Sequence, residues 1–502
     1  MEHPWFGVLL TMATACCSTA VARTYHFNIS SEPVGRVPRG FLSQALDTTT
    51  LARKEWFLNF EGKKFVNLCK HLAPGYLHFG GNPSNWLVFR ERGAKEEEQY
   101  QERVNSFTKH NKEPRGWKAD RRPDKDSPKG LQNKELVMTQ KDWDRINAVA
   151  RKIGWKLLFT LNPYSRSKDG TWNTSNVEEL MTYTRRNGYR VDWALGNEPH
   201  KHDGLDGNQL GQALLELKEL CKRYTPKSSL CAPDLSTPSR WKLRFLSNMT
   251  RVAGSQLDAV SFHHYYLNGR EAKLDDFMDA KILDNYGERI TEIQTAIAEY
   301  WPAGSPLWNS ESGSAFGGGA HELSMSFAGS FLWLDKLGVA ATRGVRYVMR
   351  QALARGNYRL FDGKEFVPMP DYWVSVLYNR LVGTAVYEVT VTPKKPHVRV
   401  YTHSSAVCEK GFTLFVLNLS KKNAVSLIPT DDSPLRRMPC KRYLFSPGVD
   451  DDMLSRTVRV NDRPCKATED GDISCGDEAE TLEQGMPLLV PPRRFGFFVY
   501  CP

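Results

Sequence analysis

Short apolar runs alternate with helix-like segments eight times along the first three quarters of the chain, and this alternation restricts the fold more than any other feature. The first run is 41–47 and the last is 345–352. Between them, apolar residues recur at helical spacing; one helix begins at Thr139-Gln-Lys-Asp142, which is similar to a capping box, and ends at Gly154. Eight strands that each precede a helix predict an α/β protein built on a (β/α)8 barrel, a TIM barrel, over 41–377.

The remainder of the chain has a different pattern. Beyond Tyr378, short strands are broken by Pro, Gly and Asp, which predicts a C-terminal β-sandwich domain over 378–502. We expect the segment 23–40 to contribute a strand, near Tyr25, to this sandwich. Half of the residues in 91–130 are charged, which predicts a solvated or disordered insert within the barrel, although a charged surface helix around 95–103 accounts for part of it.

Two of the predicted barrel strands lead to a glutamate. The run from Val191 is apolar at every second position, and Pro199 stops it just after Glu198. A second apolar run leads to Glu311 and then into a glycine loop. Counted along the chain, these glutamates follow the fourth and seventh strands, so we expect both at the carboxyl-terminal face, where barrel enzymes place their chemistry.

Two carboxyl groups at one face predict glycoside hydrolysis. One protonates the leaving oxygen and the other attacks the anomeric carbon. A single glutamate after a strand is more often a surface or helix-capping residue, so the prediction depends on the pair.

The chain carries a formal net charge of +11. Such a charge favours a polyanionic partner, namely nucleic acid, an anionic membrane or a sulfated polysaccharide, although it often serves only solubility. The paired acids and the export signals described next make a nucleic-acid partner improbable. No stretch of the sequence has the roughly 20 apolar residues of a membrane span.

Several features predict export. Residues 1–22 have the apolar centre and small terminal residues of a signal peptide, although a basic start is missing. Four sequons fit glycosylation, at Asn28, Asn173, Asn248 and Asn418. We therefore expect a secreted, extracellular protein, with the lysosome as a further location. Eight cysteines follow the signal without metal-ligand spacing, so disulfides are expected, and neither a metal nor a cofactor is.

From about Tyr25 to Cys501 the chain resembles the animal heparanases of glycoside hydrolase family 79. The resemblance lies in blocks that occur in the same order: Gly196-Asn-Glu-Pro199, His263-His-Tyr-Tyr-Leu-Asn-Gly-Arg270, Ser314-Ala-Phe-Gly-Gly-Gly-Ala320, Phe331-Leu-Trp-Leu-Asp-Lys-Leu-Gly338, Val348-Met-Arg-Gln351, Gly356-Asn-Tyr358 and Pro370-Asp-Tyr-Trp373.

The resemblance implies a retaining endo-β-glucuronidase that cuts heparan sulfate. Glu198 would be the acid/base and Glu311 the nucleophile, with the higher pKa of the pair on Glu198 and the carboxyls roughly 5–5.5 Å apart. It further implies a Cys408–Cys501 disulfide, while Cys465–Cys475 rests on proximity alone. The implied substrate-binding residues are Asp47, Asn197, Arg270, Gly317, Gly318, Gln351, Gly356 and Tyr358.

A basic rim is expected to bind the sulfated chain, because each cationic contact with such a polyanion releases condensed counterions. Its candidates are Arg240, Lys242, Arg244, Arg270, Lys394 and Lys395. Peripheral association with the cell surface through proteoglycans would follow from the same charge.

The chain departs from the family pattern at several positions. The usual loop tyrosine is Phe316, the usual Gln-Pro-Arg is Thr237-Pro-Ser239, and the Lys-rich segment expected near 134–141 is only weakly basic. The insert 91–130 corresponds to a linker that family members lose by cleavage. The alternatives are an exo-acting glucuronidase and a non-catalytic heparan sulfate-binding paralogue; retention of both glutamates argues against the second.

Overall fold

The structure, a computed structural model, describes residues 22–52, 59–91, 135–202 and 204–502. Eight parallel strands close into a barrel in which each strand pairs with the next one in the chain and the last pairs with the first. This confirms the predicted barrel. The strands are β1 Leu42–Asp47, β2 Gly75–Gly80, β3 Trp155–Leu161, β4 Val191–Leu195, β5 Leu230–Leu235, β6 Ala259–Asn268, β7 Leu307–Phe316 and β8 Val345–Gln351.

Helices follow the strands. They are α1 Lys63–Lys70, α2 Gln140–Ile153, α3 Ser175–Arg186, α4 Gly207–Tyr224, α5 Arg240–Ala253, α6 Ala280–Ile297, α7 Gly329–Thr342 and α8 Pro370–Leu381. The predicted start of α2 is a true capping box: the Thr139 hydroxyl accepts from the Asp142 N–H, and the Asp142 carboxylate accepts from the Thr139 N–H. Both groups would otherwise be unpaired at the helix start.

The barrel interior is a packed core at one end and polar at the other. Three aromatic rings, those of Tyr76, Trp308 and Tyr347, meet near the amino-terminal end with centroids 4.8–5.2 Å apart. Small residues such as Ala194 and Ala259 leave room for these rings. The aromatic layer closes that end, so any cleft must lie at the carboxyl ends of the strands.

Beyond Leu381 the chain forms two large sheets and a two-stranded one, Lys466–Ala467 with Ile473–Ser474. A nine-stranded sheet contains Val382–Tyr387, Val398–Ser405, Phe412–Asn418, Cys440–Pro447 and Arg494–Tyr500. In a second sheet, the N-terminal strand Ala22–Ile29 pairs in parallel with Ala424–Pro429 and antiparallel with Val389–Thr392. Tyr25 and Phe27 are buried with Leu414 and Phe498 between the sheets, so the segment before the barrel completes the sandwich core.

The nine-stranded sheet also packs on the barrel. Its inner face presents Phe495, whose ring lies 5.0 Å from Phe331 of α7. Beside this contact, the buried Asp335 accepts hydrogen bonds from the Tyr401 hydroxyl at 2.7 Å and from Arg399 Nε at 2.9 Å. A shared apolar core and a paired buried charge join the two domains at α7, the helix that precedes β8.

The structure contains two disulfides, Cys408–Cys501 and Cys465–Cys475, which are the two pairings expected from the sequence. The first joins the final strand to the loop before Phe412–Asn418. Among the described helices, none is long and apolar enough to cross a membrane. The expected signal peptide up to residue 21 and the charged insert from residue 92 lie outside the described residues.

The glycosylation expectation is wrong for Asn418. Its side chain is fully buried, and its Nδ2 donates to the carbonyls of Asn423, Val490 and Pro491 at 2.9–3.0 Å. A glycan attaches at this nitrogen, so the folded chain leaves no room for one. Asn28, Asn173 and Asn248 are partly exposed.

Candidate active site

Glu198 lies in a tight turn just beyond β4. Its backbone adopts a left-handed conformation with φ +48°, and its N–H donates to the Asp234 carbonyl at 3.2 Å. The turn aims the side chain into the barrel mouth, where Oε1 lies 3.1 Å from His263 Nδ1 and Oε2 contacts the Lys201 ammonium. Left-handed backbone in a non-glycine residue is strained and is frequent at functional sites.

Asn197 is held by the loop after β2. Its side-chain carbonyl accepts from the Gly81 N–H at 3.0 Å, and its own backbone N–H and carbonyl pair with the Asn85 amide at 2.8 Å each. These bonds fix the turn that carries Glu198. Asp47, at the end of β1, packs directly against Gly81 and accepts from the Thr49 N–H at 2.7 Å.

Glu311 lies within β7 rather than at its end, which differs from the expected strand limit. The pairing of β6 with β7 shifts between Phe262 and His263, so β7 carries one extra residue, Ser310, and continues to Phe316. The bulge lets the Ser310 hydroxyl donate to Asp234 at 2.6 Å. Bulges of this kind re-aim side chains next to active sites.

The carboxylate of Glu311 accepts a hydrogen bond from the Tyr265 hydroxyl at 2.6 Å. Its Oε1 lies 3.9 Å from His263 Nδ1, the atom that is 3.1 Å from Glu198 Oε1. The two carboxylate oxygens can therefore be no farther apart than these two distances added together. The two carboxyl groups therefore face one site, as glycoside hydrolysis requires.

His263 and Tyr265 were not among the predicted site residues. Side chains alternate along a strand, so both point into the barrel, while His264 and Tyr266 point outward to the buried Lys336 of α7. The block His263-His-Tyr-Tyr already contained this signal, since period-two alternation at the end of β6 would have assigned one His and one Tyr to the mouth.

A buried polar layer lies beneath the two glutamates. Asp234 is within 3.9 Å of His263 Nε2 and within 3.6 Å of His78 Nε2. His78 is fixed between the Ser310 carbonyl at 2.7 Å and the Thr160 hydroxyl at 2.8 Å. Burial raises the pKa of Asp234, but its neighbours His263, His78 and Ser310 outweigh burial and lower it. Asp234 is therefore an anion that supports a charged His263.

The glycine loop after β7 forms an open cradle. Gly317 and Gly318 have φ values of +78° and +89°, and an added Cβ would meet nothing within 4 Å. In the described part of the chain, neither N–H donates to a protein acceptor. Gly319 has no such room, because a Cβ there would collide with the backbone N–H of Tyr358. The first two glycines thus present free donors toward the mouth.

Gln351, Gly356 and Tyr358 lie on the other side of this cradle. The Asn357 N–H donates to the Gly318 carbonyl at 2.6 Å, which joins the loop after β8 to the glycine loop. The Tyr358 ring stacks near Tyr265 with centroids 6.2 Å apart, and the Gln351 side chain lies beside the Tyr358 hydroxyl. The structure thus gathers most of the predicted substrate residues around Glu311.

Arg240 and Arg270, two of the residues expected in the basic rim, are both exposed. Arg270 is exposed one residue after Gly269, whose N–H donates to the Phe316 carbonyl at 3.0 Å, so it borders the glycine loop. Arg240 is exposed at the start of α5, and in the described part of the chain its side chain contacts neither glutamate. Its neighbour Lys242 instead donates to Ser236 and Thr237 at 2.8 and 2.9 Å.

In the empty site, the surroundings of the two glutamates act against the expected order of their pKa values. Burial raises the pKa of Glu198, but the hydrogen bond from His263, its charge and the Lys201 ammonium outweigh burial and lower the pKa to about 2. Burial raises the pKa of Glu311, and the charges of Glu198 and Asp47 add to it against His263 and Tyr265. In the empty site the two cations next to Glu198 therefore favour its ionised form.

His263 is a cation in this arrangement. Burial lowers its pKa, but the carboxylates of Glu311, Asp234 and Glu198 raise it to about 10. The positive charge of this one imidazolium thus faces three carboxyl groups, those of the two glutamates and of Asp234 beneath them. The described residues contain no group of three or more His, Cys, Asp or Glu side chains placed to hold a metal ion.

Comparisons with known proteins agree with this geometry. Residues 122–338 match the family described as "Glycosyl hydrolase family 79, N-terminal domain". Heparanase from Mus musculus is 34% identical over 501 residues, covering 94% of this chain and 91% of that protein. This chain belongs to the heparanase family. It is accordingly a glycoside hydrolase, although the family also includes "Inactive heparanase-2" from Mus musculus, which is 30% identical over 94% of this chain and 87% of its own length.

The fold is shared more widely than the sequence. A solved 4-O-α-L-rhamnosyl-β-D-glucuronidase from Fusarium oxysporum 12S superimposes with a TM-score of 0.67 over 95% of this heparanase-family chain and 100% of its own, at 12% identity. That likeness confirms the barrel with its β-domain.

Proposed function

We propose that this heparanase-family enzyme is a retaining endo-β-glucuronidase that cleaves glucuronic acid–glucosamine linkages in heparan sulfate. One observation carries the proposal: Glu198 and Glu311 approach the same nitrogen of one imidazolium, His263. A retaining enzyme needs two carboxyls close enough to act on one glycosidic bond from either side.

The roles follow from the surroundings of each glutamate. Glu311 is fixed by Tyr265 next to the glycine loop, so its oxygen attacks the anomeric carbon of the glucuronate. The bond from that carbon to the leaving oxygen breaks as the leaving oxygen takes the Glu198 proton. Glu198 then removes a proton from water, which attacks the same carbon and releases Glu311.

The cradle suits a carboxylated sugar. The free N–H groups of Gly317 and Gly318 are matched to the glucuronate carboxylate, and the ring would lie against Tyr358 and Gln351. Asn197, locked by Asn85, faces the same bond from the Glu198 side. A flexible side chain in place of these donors would lose orientation entropy on binding.

The identity of the substrate polymer and the location of the enzyme are proposed from the charge of the chain and from its relatives. The net charge of +11 and the exposed Arg270 favour a sulfated polyanion, and the heparanase relatives point to heparan sulfate. Signal-like residues 1–22 and the two disulfides support secretion. We propose that the enzyme is extracellular and that it associates with cell surfaces through proteoglycans.

Product sizing tests the proposal against its rivals. Incubation with size-defined heparan sulfate is expected to shorten the chains to intermediate fragments early in the reaction. Release of glucuronate alone, with the chain length nearly unchanged, would mean exo action. Binding without any cleavage under all conditions would make the chain a non-catalytic paralogue.

A further inference from the structure

Lys201 lies three residues after the proposed acid/base. The turn Pro199–Lys201 follows Glu198 directly, and it returns the Lys201 ammonium to the Glu198 carboxylate. The lysine side chain is 45% exposed, whereas the Glu198 side chain is 11% exposed. Lys201 therefore reaches in from solvent and neutralises a carboxylate that must carry a proton when the reaction begins.

The loops around Lys201 indicate that it lies on the leaving-group side of the cleft. In the proposed function, the sugar that Glu311 attacks lies against the loops after β7 and β8. Beyond Glu198 lie the loops after β4 and β5, with the His200 and Trp241 rings 5.4 Å apart. Because the acid stands next to the leaving oxygen, these loops border the sugar that departs.

Other charged or titratable groups also face Glu198. His263 is enclosed by Glu311 and Asp234, and Tyr265 is bonded to Glu311. His200 is bonded to the Ser236 hydroxyl, and Lys242 donates to the same loop. All of these groups have fixed partners inside the protein. Lys201 is exposed, so among them it is the one that can exchange Glu198 for an anion of the substrate.

We propose that Lys201 is a substrate-responsive positioning residue: it pairs with Glu198 in the empty site and moves to a sulfate on the leaving-group sugar when substrate binds. Glu198 then takes one proton from solvent, while Lys201 keeps its own proton throughout. This inference rests on the proposed function and adds a specificity rule to it. According to that rule, a sulfate on the departing sugar promotes protonation of Glu198.

The balance of charge explains why the exchange raises the pKa of Glu198. Burial disfavours the ionised form of Glu198, and Lys201 is one of the cations that oppose burial. Removing the ammonium leaves the carboxylate with His263 alone, whose charge is shared with Glu311 and Asp234. The proton then moves toward the group that must donate it.

Kinetics on a matched pair of oligosaccharides test the proposal. The two substrates differ only in a sulfate on the leaving-group glucosamine. We expect K201M to raise kcat/KM for the unsulfated substrate by up to about tenfold, equivalent to one pKa unit on Glu198. For the sulfated substrate the lost ion pair should lower kcat/KM about two- to fivefold.

The chain offers a matched control in K222M. Lys222 and Glu219 form a pair at the same spacing on α4, with 2.6 Å between Nζ and Oε1 and both side chains exposed. This variant should leave kcat/KM unchanged for both oligosaccharides. If K201M changes kcat/KM in the same direction for both oligosaccharides, or for neither, the proposed role of Lys201 is wrong. If the unmodified enzyme cleaves neither oligosaccharide, the proposed function itself is wrong, and the inference falls with it.

Calorimetry gives a second readout that does not depend on turnover. Binding of the sulfated oligosaccharide to E311Q is measured near pH 5 in buffers of different ionisation enthalpy. We expect net uptake of up to one proton per site, and little uptake with the unsulfated oligosaccharide or in E311Q/K201M. Equal proton uptake by E311Q and E311Q/K201M would overturn the exchange.

Discussion

Glu198 and Glu311 are almost equally enclosed, with side chains 11% and 14% exposed, yet their surroundings have opposite effects on their charge. Glu198 receives Lys201 and His263 directly, and its pKa is lowered. Glu311 receives the neutral Tyr265 hydroxyl and only a more distant His263, and its pKa is raised. Burial alone therefore does not set the charge of a carboxyl group in the empty site; the placement of neighbouring cations also does.

The difference originates in how each strand ends. β4 stops at Leu195, and a tight turn brings the following residues back onto Glu198. β7 continues through Glu311 to Phe316, so the residues after it move away along the strand. A turn supplies a local cation, whereas an extended strand leaves the carboxylate to its neighbours on β6.

The largest effect is expected for E311Q. An amide cannot attack the anomeric carbon, so kcat should fall by at least about 10³-fold, as for nucleophiles in other hydrolases. Activity is measured as fragment formation from heparan sulfate, and the melting temperature checks that the fold is intact. Substantial residual activity in a folded E311Q would remove Glu311 from the nucleophile role.

E198Q tests the acid role of Glu198 by comparing substrates whose leaving groups do and do not need a proton. General acid catalysis contributes roughly 10²–10⁴-fold. We expect a loss of this size on the natural polymer and a much smaller loss on an aryl glucuronide whose leaving oxygen needs no proton. An equal loss on both substrates would indicate that Glu198 does not act as the acid.

The sequence predicted the two glutamates and the strands before them, but not which charged groups lie next to each glutamate. The period-two pattern before Glu198, the run before Glu311 and the helical segments between strands are local signals, and the barrel follows from them. The contact of Lys201 with Glu198 depends on a three-residue turn, and the register shift at Ser310 depends on pairing between β6 and β7. Neither is visible in a local pattern.

The same limit applies at other positions. The sequon at Asn418 is a local motif, but its burial is set by the Val490 and Pro491 carbonyls, which lie about 70 residues away in the chain. Tyr265 and His263 gain their roles only when β6 and β7 lie side by side. Resemblance to a family predicted most of the residues that the structure gathers around Glu311, because it carries tertiary information that periodicity lacks.

Y265F sharpens the comparison at the Glu311 end. The hydroxyl lowers the pKa of Glu311, so its removal raises that pKa further. Glu311 must be ionised to attack; the acidic limb of the pH profile should therefore move to higher pH. A hydrogen bond to a charged group contributes about 1.5–3 kcal/mol, which corresponds to a loss of about 10- to 100-fold in kcat/KM below the optimum. An unmoved acidic limb would contradict the assignment.

R270A should have the smallest effect, because an exposed rim charge contributes only about 0.2–1 kcal/mol. We expect KM for heparan sulfate to rise about two- to fivefold and the dependence of binding on salt to become shallower, with kcat unchanged. R190A is the matched control, since Arg190 is exposed at the opposite, amino-terminal end of β4. Equal effects of the two substitutions would argue against a rim at the cleft.

Covalent trapping tests the central assignment most directly. A 2-deoxy-2-fluoro glucuronide with a good leaving group forms its intermediate normally but hydrolyses slowly, and peptide mass spectrometry locates the modified residue. Our account predicts a label on Glu311, with the same label persisting longer in E198A because the base for the second step is missing. A label on Glu198, or rapid turnover with no labelled residue in either protein, would contradict the account.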